Sequence, residues 1–282
     1  MIEKLLLDKR ISLSDPEKLT KKLAGFNKDK LQIVIDFDNT VTQENGTTSW
    51  SLFQKSWTMP EWYNQERIAL FEHYHPFELD HSLSFEMRDM LMREWWSKHL
   101  ELFIRYKLNI NTIDKIVENS HFVEFRKWMD DFLELAYEHN IPLIILSAWI
   151  TNTITEFLKG RWHLYDNMHI VSNELAFDID GYCIWMNKET IIHSENKDEH
   201  YMPDKVREMV EGKTDIILIW DSLTDVKMID TDLRDGAIKI GFLAKKKIEA
   251  KTLFLEAFDI VIESELESLG VPLEILKSTP GF

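Results

Sequence analysis

The stretch LQIVIDFDNT, residues 31–40, decides how this chain is read. Its first five residues are almost all apolar and branched, the pattern of a strand covered on both faces. The run leads straight into Asp36 and Asp38, so two carboxylates two positions apart stand at the strand's carboxyl end. That edge of an open α/β sheet is where such folds bind ligands. Like charges this close repel unless a cation lies beside them. Asp-Asn-Thr is also ordinary turn chemistry, so the pattern needs support from the rest of the chain.

Further apolar runs occur at residues 142–147, 169–172, 216–220, 238–242 and 259–262, with helical patterns between them at 122–139 and 151–159. This alternation predicts an α/β fold with a doubly wound, Rossmann-like, mostly parallel sheet. Residues 47–120 break it: they lack branched runs and are dense in Trp, Met, Phe, Glu and Arg at helical spacing. They read as an inserted α-helical domain, with 1–46 and 121–282 forming the α/β core. The segment FDIDGY, residues 177–182, carries the Asp-Gly of a tight β-hairpin. A helical pattern also runs from 266 to 277.

The 282-residue chain is long enough for one substantial core and a smaller attached domain. Its formal net charge of −16 opposes binding to nucleic acid or to anionic membrane surfaces, which depends on Lys and Arg. A small phosphorylated ligand is still compatible with that charge where a metal and one or two local cations reverse the field in a pocket. The single cysteine, Cys183, excludes an internal disulfide framework and a cysteine-cluster metal site, and fits a reducing cytoplasm. No run is long and apolar enough for a signal peptide or a membrane span, so a cytoplasmic protein is expected.

Two further chemical groups fall at strand ends, Ser147 with Ala148 and Asp221 with Asp225, and Lys197 precedes the second of them. Taken singly, Ser147 reads as a helix cap, Lys197 as a solvated charge, and the two aspartates as capping residues. In their order along the chain, Asp36-x-Asp38-x-Thr40, Ser147, Lys197 and Asp221-Ser222-x-x-Asp225 resemble the motifs of the haloacid dehalogenase superfamily of phosphotransferases. Over residues 30–242 the resemblance sharpens to the cytosolic pyrimidine 5′-nucleotidases. It is carried by residues 36–42, Glu94-Trp95-Trp96-Ser97-Lys98, 140–148, Val171-Ser172-Asn173, 177–181, Asn196-Lys197-Asp198 and 221–225.

The resemblance implies a Mg²⁺-dependent phosphomonoester hydrolase acting on a nucleoside 5′-monophosphate through an aspartyl-phosphate. It makes Asp36 the nucleophile and Asp38 the general acid and base. Mg²⁺ would be held by Asp36, the main-chain carbonyl of Asp38, and Asp221. Ser147, Ala148 and Lys197 would contact the phosphate, with Thr40 and Asp225 behind them. Glu94, Trp96, Trp50 and Phe85 of the inserted segment are candidates to meet the base, although apolar residues at helical spacing also simply pack. A phosphatase for another small ester, or a phospholigand-binding protein without turnover, would carry much of the same pattern. The chain departs from the family at three glycine positions, occupied here by Trp149, Trp220 and Thr224. Bulk there is expected to narrow the pocket or shift its loops.

Overall fold

A computed structural model of the chain describes residues 5, 7–44, 52, 53, 55, 56, 58–80, 82–121, 123–186, 190–194, 196, 197, 201–223, 231–264 and 270–282. In chain order its elements are β1 (Ile11–Leu13), α1 (Pro16–Gly25), β2 (Leu31–Ile35), α2 (Glu61–Glu78), α3 (Phe85–Arg105), α4 (Ile110–Glu118) and α5 (Met129–Glu138). There follow β3 (Leu143–Ile150), α6 (Thr151–Gly160), β4 (Met168–Asn173), β5 (Leu175–Phe177), β6 (Cys183–Met186), α7 (Asp204–Met209) and β7 (Asp215–Trp220). The chain closes with α8 (Thr231–Arg234), β8 (Ile238–Ala244), α9 (Lys251–Ala257), β9 (Ile260–Ser264) and α10 (Val271–Lys277).

Seven strands form one sheet in the order β1-β9-β8-β7-β2-β3-β4, parallel except for β1, which runs antiparallel along β9. The chain moves outward from β2 to β3 and β4, then returns to build β7, β8 and β9 on the other side. The switch in direction therefore falls beside β2, whose last residue precedes Asp36. Alternation along the strands sorts their side chains to two faces. Ile217 and Ile219 join Ile33, Ile35, Leu143 and Ile145 on one; Ile216, Leu218 and Trp220 join Val34, Ile144 and Leu146 on the other. Both faces are covered, which is why these strands read as continuous apolar runs.

Two elements depart from the reading of the sequence. The pattern at 122–139 becomes helical only at Met129, because the residues before it extend along the loop after β2. There Gln43 N donates to Glu124 O (2.8 Å), Arg126 N donates to Val41 O (3.1 Å), and Thr42 bridges Phe125. Those bonds satisfy loop amides that a helix would leave unmet. At the C-terminus α10 begins only after Gly270, with Pro272 in its first turn, and 265–269 lie outside the described residues. The three-residue β1 was not anticipated.

The described residues between 58 and 120 are mostly helical, and α2 packs against α3. The hairpin of β5 and β6 forms as expected, with Gly181 at φ +80°. It hydrogen-bonds back to this helical stretch: Ile110 N donates to Gly181 O and Cys183 N to Leu108 O, both at 2.8 Å.

Trp220 and Gly241 are partners across β7 and β8, and the indole lies 4.3 Å from the ring of Phe258, centroid to centroid. A methyl group on Gly241 would come within 2.6–2.7 Å of that ring, which is itself stacked on Phe254 and cannot retreat. Gly241→Ala is expected to cost about 1–3 kcal/mol of stability, read as a lower urea midpoint at unchanged slope.

Candidate active site

Asp36 is buried, and its amide donates to Ile219 O (3.0 Å), which pins the carboxylate between the ends of β2 and β7. The loop then turns tightly, Phe37 O accepting from Val41 N (3.0 Å) and Thr42 N (3.1 Å). Asn39 sits in the left-handed region at φ +57°, which asparagine tolerates better than most residues. Its amide donates to Thr42 Oγ1 (2.9 Å), and its side-chain Nδ2 donates to Asp221 Oδ2 (3.3 Å) at the end of β7.

Lys197 is buried and donates from Nζ to Asp36 Oδ1 at 2.8 Å. Ser147 lies within an irregular stretch of β3, where the register with β4 shifts between Leu146 and Ile150, and its Oγ accepts from Trp149 N (3.3 Å). Asn173, at the end of β4, ties this stretch to the Lys197 side. Its Nδ2 donates to Ala148 O (2.9 Å) and Ile192 O (2.8 Å), and its Oδ1 accepts from Ile192 N (2.9 Å).

Asp36, Asp38, Ser147, Ala148, Lys197 and Asp221 therefore share one cavity of about 230 Å³, with Asn39, Trp149 and Ser222 in its wall. Clefts of about 800 and 890 Å³ exist elsewhere, along β4 and beside α4 and α6. Neither contains a buried carboxylate–lysine pair, so chemistry rather than size marks the site.

Two residues that the sequence did not single out complete it. Glu78, the last residue of α2, lines the cavity, and its Oε1 accepts from Ser194 Oγ at 2.5 Å. Arg126, buried beneath the loop after β2, donates from Nε to Thr40 O (3.0 Å) and through its terminal nitrogen to Asn39 O, while its guanidinium lies 3.7 Å over the ring of Phe242. Burial lowers its pKa to about 10, against the opposing pull of Asp221 and Glu44. No spacing within a helix rich in charge marks Glu78, and Arg126 sat in an expected helix where its partners could not be foreseen.

Three of the candidate base contacts, Glu94, Trp96 and Phe85, do not line this cavity. Glu94 is exposed and pairs with Lys98 (3.5 Å), Trp96 is buried in the main core, and Phe85 stands half-exposed at the start of α3. Trp50, Thr224 and Asp225 lie outside the described residues. Of the other two residues at glycine positions, Trp149 lines the cavity, whereas Trp220 is buried in the opposite core face.

Loss of hydration and the charge of Asp36 push the pKa of Asp221 up to about 6, with Lys247, Lys197 and the Asn39 bond opposing. Two neighbouring carboxylates, beside the main-chain oxygen of Asp38, suit a hard divalent cation. No cluster of three or more His, Cys, Asp or Glu side chains placed for a metal occurs among the described residues. The donor set would thus be two carboxylates and one carbonyl.

The family model described as pyrimidine 5′-nucleotidase (UMPH-1) matches residues 38–279. The 7-methylguanosine phosphate-specific 5′-nucleotidase A of Xenopus laevis is 31% identical over 277 residues, covering 95% of this chain and 94% of its own. The human 7-methylguanosine phosphate-specific 5′-nucleotidase is 32% identical over 250 residues, covering 86% and 82%. The crystal structure of cytosolic 5′-nucleotidase IIIB bound to cytidine superimposes with a TM-score of 0.85 at 26% identity, over 99% of this chain and 97% of that one. No described helix is long and apolar enough to cross a membrane.

A pKa raised from the ordinary 3.8 to about 6 means that ionised Asp221 opposes folding in the metal-free protein, fully above pH 6 and not at all below about pH 4. In chelator, Asp221→Asn is expected to be more stable than wild type by about 1–3 kcal/mol at pH 7.5. The gap should close as pH falls from 6 to 4, followed by thermal unfolding across that range.

Proposed function

Because the chain belongs to the pyrimidine 5′-nucleotidase family and is a phosphomonoester hydrolase, we propose that it hydrolyses nucleoside 5′-monophosphates, with Asp36 as the nucleophile. The observation that carries this reading is the buried Lys197–Asp36 pair at 2.8 Å, in one cavity with Ser147 and Asp221 at the sheet's switch point. A binding site for phosphate alone needs cations and amides; it does not need a buried carboxylate directed at the phosphorus.

In the first step an Asp36 oxygen attacks phosphorus and the bond from phosphorus to the nucleoside oxygen breaks. Asp38, half-buried in the same wall, gives its proton to that leaving oxygen. Asp38 then takes a proton from the water that attacks the acyl phosphate; the phosphorus–Asp36 bond breaks, and inorganic phosphate and the free carboxylate are restored. Lys197 and Ser147 hold the phosphate oxygens as charge shifts between the entering and leaving groups. Asp36, the carbonyl of Asp38, and Asp221 would hold Mg²⁺, which supplies positive charge to the phosphoryl oxygens when bound.

Residues 47–120 act as the cap over this core, and Glu78 extends from it into the cavity. A carboxylate there is an acceptor for the amino and N–H edges of a base. The names of the relatives favour 7-methylguanosine 5′-monophosphate over other nucleotides, and the cytidine in the solved relative makes CMP its natural competitor. A cytoplasmic location accords with the cytosolic name of that relative and with one buried, unpaired cysteine.

Phosphate release is to be measured from 7-methylguanosine monophosphate, CMP and p-nitrophenyl phosphate, with and without Mg²⁺. Wild type is expected to turn over in a Mg²⁺-dependent manner, and Asp36→Asn to lose about 10³-fold or more. Turnover that survives in Asp36→Asn, or nucleotide binding with no turnover under any divalent metal, overturns the proposal.

A further inference from the structure

Lys197 reaches Asp36 from residues that belong to no helix or strand. A flexible four-carbon side chain on an irregular backbone is held only as well as its neighbours are held. Those neighbours are fixed by side chains. Asn196 Oδ1 accepts from His193 N (2.7 Å), while its Nδ2 donates to Ile191 O (2.9 Å) and Tyr201 Oη (3.0 Å).

Helix α3 closes this arrangement into a ring. Asp89 Oδ1 accepts from His193 Nε2 (2.9 Å), Asp89 Oδ2 accepts from Arg93 Nε one turn along (2.8 Å), and Arg93 donates onward to Tyr201 Oη (2.7 Å). Asp89, Arg93, Tyr201, Asn196 and His193 are thereby linked in an unbroken circuit, and Lys197 is the residue next to Asn196. His193 is 2% exposed and Asn196 5%. Burial by itself would raise the pKa of Asp89, but the hydrogen bonds from Arg93 and His193 outweigh it and hold the carboxylate below its usual range.

We infer that Asp89 and Arg93 of α3 are positioning residues for the reaction: through the ring they share with His193, Asn196 and Tyr201, they set Lys197 against Asp36. This rests on the assignment of Lys197 to the phosphate. Neither residue lines the catalytic cavity, so their effect passes through the lysine and not through the leaving group. It follows that the loss on breaking the ring is the same for every phosphate ester, large or small.

The test compares wild type, Asp89→Asn, Arg93→Met and Tyr201→Phe on a nucleoside monophosphate and on p-nitrophenyl phosphate. Each variant is expected to lower kcat about tenfold on both substrates, the scale of a small misplacement of a catalytic group, with KM within about twofold and the melting temperature little changed. Unchanged kcat overturns the inference. So does a loss confined to the nucleotide and expressed in KM, which would make α3 a leaving-group contact. If one variant folds poorly, the other two carry the comparison.

A second measurement needs no turnover. Titration of inorganic phosphate into the Mg²⁺-loaded proteins should give about tenfold weaker binding for the ring variants, and equal affinity overturns the inference. If wild type hydrolyses neither ester yet the ring variants still bind phosphate more weakly, the proposed activity fails and the ring stands.

Discussion

Asp36 is a carboxylate at the end of a strand covered on both faces, and an isolated charge there would cost several kcal/mol in lost hydration. Lys197, at 2.8 Å, is what makes its burial tolerable. The need recurs around it. Asp221 is brought close enough to Asp36 for that charge to oppose its ionisation, and Arg126 delivers a second cation beneath the loop after β2. These four charges come from four separated parts of the chain and meet only because β2 lies between β7 and β3. The sheet thus fixes where the charges meet, while the pairs among them determine whether that meeting is stable.

How much of this could be read beforehand follows from the range of each interaction. Strands β2, β3, β4, β7, β8 and β9 were legible because a sheet covered on both faces demands unbroken apolar runs, and the β5–β6 hairpin because of its Asp-Gly turn. The acids were legible because they follow those runs directly. Asp36, Ser147, Lys197 and Asp221 stand on one cavity as the motif order implied. Arg126 was not legible: its carbonyl partners on Asn39 and Thr40 lie more than 80 residues away, and the pattern around it looked helical. The course of 123–126 along the loop after β2 wins there because it completes that loop's hydrogen bonding. Glu78 and the ring through Asp89 were hidden for the same reason, since each depends on which face of α2 or α3 meets the residues around Lys197.

The two tryptophans at glycine positions separate for a related reason. Trp220 is the final residue of β7, and alternation along that strand assigns its side chain to the same face as Ile216 and Leu218, away from the cavity. Its bulk is accommodated by Gly241 opposite and by Phe258. It therefore does not narrow the site, contrary to what its place in the motif led one to expect. Trp149 lies where β3 loses its regular register, so alternation does not govern it. The residue is part of the cavity lining, and its indole meets the edge of Phe53 at 5.9 Å between centroids.

Phe53 is packed in turn on Tyr63 and Phe103 of the helical segment. A glycine at 149 could make no such connection. In this chain Trp149 links the residues beside Ser147 to the aromatic core of the helical segment, and the polar ring joins that segment to the residues around Lys197. The two attachments differ in kind. An aromatic edge contact adds about 0.5–1.5 kcal/mol beyond the area it buries and tolerates small sliding, whereas a closed hydrogen-bonded ring holds direction and loses most of its value once one member moves. Movement of the helical segment is therefore least costly where it pivots about the Trp149–Phe53 contact and most costly where it pulls on Asp89 and Arg93, the side that orients the lysine.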